Sequence, residues 1–180
     1  MGIRSHALRG RMSAGESAGG LPPDDLVEAE EAILSDSERL INRFHNPDPG
    51  SRLQIALAPC SPFSVSQRLM TESAELARRH SVRLHTHLAE NDEDVRYSRE
   101  QFGCTPGAYA ERLGWIGPDV WHAHCVKLTP ADMQRFAESG TGVAHCPCSN
   151  MRLGSGIAPI MSMLRHGVRV GLGVDGASSN

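Results

Sequence analysis

The chain has 180 residues, of which 39% are hydrophobic and 22% charged, enough apolar matter for a folded domain and unlike a disordered segment. Its formal net charge is −3 and only 4% of residues are aromatic, so there is no basic stripe to track a nucleic-acid backbone. No apolar run approaches the ~20 residues that span a bilayer, and MGIRSHALRGRMSAGES lacks the apolar centre of a signal peptide. A cytoplasmic chain with no membrane partner and no nucleic-acid partner is the expectation.

In chain order, the first β-type run is Ile3–Leu8, a weak one. Gly15-Glu16-Ser17-Ala18-Gly19 then matches the G-x-S-x-G of serine esterases. That elbow needs a buried strand before it and a helix directly after it. Here RGRMSA precedes and Gly19-Gly20-Leu21-Pro22-Pro23 follows, which cannot begin a helix at the serine, so the segment reads as a glycine-rich loop. Leu26 to Phe44 spaces Leu26, Val27, Ile33, Leu34, Leu40, Ile41 and Phe44 at helical intervals. Leu53–Ala58 is the next strand, and Ser64 with Gln67 three residues later predicts a capping box for a helix to Arg79.

Val82–Ala89 carries LHTHLAE. Strand side chains alternate faces, so His85 and His87 are expected to point the same way, with Glu90 at the strand's exit. Val120–Val126 repeats the device in WHAHC, where His122 and His124 share a face by the same rule. Thr129-Pro130-Ala131-Asp132 reads as a helix start with proline at the first helical position. Thr141–Cys146 brings His145. Pro159 to His166 is a short helix closed by a left-handed Gly167, and Val168–Val174 ends on Asp175.

Strand–helix alternation with short joins predicts a parallel sheet with helices outside it. His, Asp and Glu gather where four successive strands end, the face at which a (β/α)₈ barrel builds its active site. A complete barrel needs ~250 residues, so an incomplete one is expected. Buried ionisable groups are costly unless paired or bound to metal, and imidazoles with a carboxylate are the donors of a zinc or iron site. The five cysteines read as reduced and incidental, since the count is odd and Cys146-x-Cys148 lacks a two-residue gap. A cytidine-type zinc deaminase would need H-x-E and P-C-x-x-C, whereas this chain has H-x-x-E at 87–90 and Pro-Cys-Ser-Asn at 147–150.

HTHLAE, AHCV, AHCPCSNMRLGSGIAP and GLGVDGASSN resemble the ends of strands five to eight in the metal-dependent amidohydrolase superfamily, in its guanine, adenosine-analogue and triazine deaminase branch. Within that branch RGRMSAGESAGGLPPD, APCSPFSVS and AENDEDVRYSREQFGCTPGAYAERLGW are similar to the 8-oxoguanine deaminases. The resemblance implies an α/β fold, a (β/α)₈ TIM barrel of which about strands 3–8 are present. Residues 1–180 would form part of the catalytic barrel, without the N-terminal strands bearing H-x-H and without the small β-domain.

The resemblance also implies one divalent metal, zinc with iron as the alternative, held by His87 and Asp175. Glu90 would move a proton between attacking water and ring nitrogen, His124 would hydrogen-bond the water or the polarised group, and Asp175 would double as general base. Arg9 and Cys60 are implied as substrate contacts beside Glu90 and His124, with His85, His122 and His145 around them. The partner would be a small purine-like molecule, the reaction deamination of an oxidised guanine to urate and ammonia, and the full-length parent could be a homo-oligomer. The alternatives are a related aminohydrolase of hydroxytriazine, guanine or adenosine-analogue rings, or a truncated fragment without activity.

Overall fold

Seven residues, Ser5–Arg11, form β1 in the computed structural model, which describes residues 3–177 and Ser179. Ser178 and Asn180 of the final motif lie outside the described residues. Two units divide at β3, one ending with His85 and the other starting with Thr86.

In the first unit, β1 pairs in parallel with β2 (Leu53–Pro59), and β2 with the start of β3 (Arg83–Leu88). The joining helices are α1 (Glu30–Phe44) and α2 (Gln67–Arg79). Their apolar stripes, Ile33 and Ile41 on α1 and Leu69, Met70 and Leu76 on α2, are buried, as are Ile55 and Leu57 of β2 and Leu84 of β3.

In this unit the boundaries differ from the sequence expectation by more than one residue at three elements. β1 continues to Arg11, because its ladder with β2 is made by backbone groups and does not require apolar side chains. Helix α1 starts at Glu30 and not at Leu26, since Asp24–Leu26 is a 3₁₀ turn and Val27 is extended, bridging to Met12. The cap of α2 is Ser66, whose hydroxyl accepts from the Leu69 N–H at 3.0 Å. Ser64 is buried instead, its hydroxyl donating to the Ser61 carbonyl. Glu16–Ala18 is a single 3₁₀ turn in which the Ser17 hydroxyl donates to Asp24, so no nucleophile elbow exists.

The second unit holds the end of β3, α3 (Asp92–Phe102), α4 (Pro106–Arg112), β4 (Val120–His124), α5 (Pro130–Ser139), β5 (Gly142–His145), α6 (Pro147–Arg152), α7 (Ile160–His166) and β6 (Arg169–Leu172). β4, β5 and β6 pair in parallel and in sequence order. Past the strand ends, the Cys125 N–H donates to the Leu88 carbonyl and the Lys127 N–H to the Ala89 carbonyl. Trp115, Tyr109, Phe136, Leu88 and Met163 are the large buried side chains here.

Helix α5 starts as its sequence predicts. Thr129 and Asp132 form a reciprocal capping box, and Gly167 closes α7 with φ +89°. Among the described residues no helix is long and apolar enough to cross a membrane.

Candidate metal centre

Three strands of the second unit end in left-handed backbone without glycine. Ala89 follows β3 with φ 51°, His124 and Cys125 close β4 with φ 66° and 53°, and Asp175 lies just past β6 with φ 60°. Each such residue costs on the order of 1–2 kcal/mol and persists only where the surroundings impose it. These turns aim side chains at one spot. The rings of His87 and His124 stack with centroids 5.3 Å apart. One ligand atom from each of His87, His124 and Asp175 lies within 4.8 Å of the others. His87 Nε2 is 3.8 Å from Asp175 Oδ1, and His124 Nε2 is 3.7 Å from Glu90 Oε2.

Both separations exceed a hydrogen bond. Two ligands that each sit ~2.0–2.2 Å from a zinc ion lie ~3–4 Å from one another, so the His87–Asp175 spacing suits a shared divalent ion. Asp175 has one oxygen to offer. Its Oδ2 accepts from the Ser149 hydroxyl at 2.6 Å and the Ser179 hydroxyl at 3.0 Å. Partial burial alone would raise its pKa, but those two hydroxyls and the neighbouring imidazoles hold it below the usual carboxylate value. Asp175 is therefore anionic at neutral pH. The donor set of imidazole and carboxylate fits zinc, and iron equally.

Glu90 is only 16% exposed at its side chain, and the Ser155 hydroxyl reaches its Oε1 at 3.4 Å. Its backbone N–H donates to Asp94 Oδ2 at 2.8 Å. Asp94 is buried in the first turn of α3, behind the Asn91 cap. Burial pushes its carboxyl up to about 6, opposed by the Glu90 N–H and reinforced by the charge of Glu90.

Between about pH 4 and pH 6 the folded chain thus keeps a proton that the unfolded chain has released, so stability from this group falls as pH rises through that window. Asp94→Asn keeps the acceptor for Glu90 and removes the titration. Urea midpoints taken from about pH 4 to pH 7 should slope less in the variant, and the variant should gain stability over the parent above about pH 6. Equal slopes in both proteins would remove Asp94 as their source.

The sequence reading of the other histidines needs correction at one pair. His122 and His124 do not face the same surroundings. The His122 ring meets the Trp115 carbonyl at 2.9 Å and the Phe136 ring at 5.2 Å, as a core residue against α5. His124 leaves the strand's alternation because of its left-handed backbone. Its Nδ1 lies 2.9 Å from Asn150 Oδ1. Burial lowers the pKa of His145, and a proton on nearby His124 would lower it further. His85 is buried at the end of the first unit.

Arg9 and Cys60, the two implied substrate contacts, belong to the first unit. The register sets Arg9 beside Leu57 and Leu57 beside Leu84, on the sheet face opposite His85. The Arg9 guanidinium is held by Asp36 at 2.7 Å and Glu28 at 2.9 Å. Those bonds tie the sheet to α1. Cys60 follows β2 half-buried, its N–H on the Arg11 carbonyl.

Sequence reasoning missed Ser149, Asn150 and Asp94. Pro147 directly after a strand signals a helix start, from which two inward polar residues one turn on could have been inferred.

Residues 2–180 match the sequence model described as "Amidohydrolase family". The whole chain is 51% identical to an 8-oxoguanine deaminase of Pseudomonas aeruginosa, covering 40% of that protein. It is 42% identical to the hydroxydechloroatrazine ethylaminohydrolase of Pseudomonas sp. strain ADP, covering 37% of it. Among solved structures, the zinc complex of an atrazine chlorohydrolase from Arthrobacter aurescens TC1 superposes on 99% of the chain at a TM-score of 0.93, with 37% identity and 39% of that chain covered. The chain therefore spans about two fifths of the length of these relatives.

Proposed function

This chain belongs to the amidohydrolase family, and from that premise we propose that it forms about strands 3–8 of a (β/α)₈ barrel enzyme that hydrolytically deaminates an oxidised guanine. The observation that carries the proposal is the convergence of His87, His124 and Asp175 within 4.8 Å, with the Glu90 carboxylate 3.7 Å from His124. His87 and Asp175 would hold one divalent ion, the remaining ligands coming from outside residues 1–180. When bound, such an ion supplies Lewis acidity and a water acidified towards ~7.

Asp175, anionic and with Oδ1 clear of its two serine partners, takes the proton of the attacking water. Glu90 hands a proton to the ring nitrogen beside the carbon that bears the amine. His124 keeps the attacking oxygen oriented by a hydrogen bond. Asp175 passes its proton on to the amine, the C–N bond breaks and ammonia leaves. The hydroxyl proton returns to Glu90 as a carbonyl replaces the amine, so 8-oxoguanine would give urate.

The 51% identity to an 8-oxoguanine deaminase supports that ring. A triazine aminohydrolase is the second reading, favoured by the hydroxydechloroatrazine relative. Steady-state kcat/KM on 8-oxoguanine, guanine, isoxanthopterin and a hydroxytriazine, measured with the full-length protein, separates them. The expected order places 8-oxoguanine first by at least roughly tenfold, the discrimination a buried polar contact readily supplies. A larger value on any other ring overturns the assignment.

A further inference from the structure

Helix α6 is six residues long, and two neighbouring side chains on it, Ser149 and Asn150, are both buried. Ser149 binds Asp175, while Asn150 Oδ1 lies 2.9 Å from His124 Nδ1. The other half of the Asn150 amide, Nδ2, is buried with no partner among the described residues. A buried amide donor left unpaired costs roughly 1–3 kcal/mol, and an alanine here would avoid that cost. What the asparagine contributes must therefore lie at His124.

We infer that Asn150 is a positioning residue which fixes the tautomer of His124, holding the proton on Nδ1 and leaving Nε2 bare towards the site. An amide oxygen only accepts, so the partner nitrogen must carry the hydrogen. The nearest carboxylate on the other side, Glu90, is 3.7 Å from Nε2, too far to hold a proton there by a hydrogen bond. His124 then meets the attacking water as an acceptor. Its lone pair orients the water's second hydrogen, in place of donating to the charge that develops on the oxygen. Asparagine suits this better than aspartate would, because it sets direction without adding a charge that favours imidazolium.

This inference rests on the proposed reading for its catalytic meaning, but its primary test does not need substrate. In the full-length protein, labelled with ¹⁵N-histidine and stripped of metal, ¹⁵N shifts at about pH 8 should show His124 with Nδ1 protonated and Nε2 unprotonated. Asn150→Leu should yield a mixture of tautomers. Asn150→Asp, which keeps the acceptor oxygen, should keep Nδ1 protonated, while favouring imidazolium, and serves if the leucine variant does not fold.

In kinetics, Asn150→Leu should lower kcat roughly 10–100-fold with KM little changed, and the aspartate variant should recover part of it. A wild-type His124 carrying its proton on Nε2, or an Asn150→Leu protein with unchanged tautomer, overturns the inference. A tautomer that shifts as expected in a protein inactive on every ring would sustain it and sink the deaminase reading.

Discussion

In the full-length protein, if the proposed reading holds, Glu90→Gln is expected to retain a full complement of metal while losing turnover by roughly 10²–10⁴-fold, the range of a general acid–base contribution. The Glu90 carboxylate sits beside the His87, His124 and Asp175 group without being one of its members. Its backbone is pinned by Asp94 and its side chain touched by Ser155, so the isosteric amide can occupy the same place. Only the transferable proton is removed. Metal content by atomic spectroscopy beside steady-state kcat reads both halves of the expectation. Loss of the ion with an unchanged rate per remaining ion would make Glu90 a ligand and move proton transfer to His124 or Asp175.

Asp175→Asn should do the opposite and remove both. The Ser149 and Ser179 hydroxyls would still have an oxygen to donate to, so the loop is expected to stay folded. The site loses the charge that draws a cation and the acceptor for the water's proton. Metal affinity should fall by at least roughly 10²-fold, more than an outer partner of a ligand usually costs, with turnover falling further still. Retention of the ion at wild-type affinity, with turnover alone abolished, would leave Asp175 as a base and require another ligand.

The residues of this cluster were legible where the chain obeys simple periodicity. His87 stands at the end of an apolar strand, Glu90 at its exit and Asp175 past another strand, so alternation and the parallel repeat bring them to one end. Legibility failed where backbone or register decides. Two histidines spaced by one residue should share a face, yet His124 turns left-handed and leaves His122 packed on Phe136. The sheet face on which Arg9 stands is set by pairing to Leu57 forty-eight positions away, which no local pattern encodes. Helix α6 is too short to show a period, and the polar run of α3 buries little beyond Asp94 and Ser98.

The strained turns at Ala89, His124 and Asp175 set heat tolerance against chemistry. Glycine adopts that backbone without penalty, so each of these positions holds on the order of 1 kcal/mol that a neutral replacement would release. Laboratory evolution for heat resistance alone should drift towards glycine at 124 and 175 and deliver a sturdy, inert barrel segment. The same selection with activity retained should accept glycine only at 89, where the methyl group carries no chemistry. The sites that refuse the easier residue would mark, without any assay of mechanism, where rigidity is spent on catalysis.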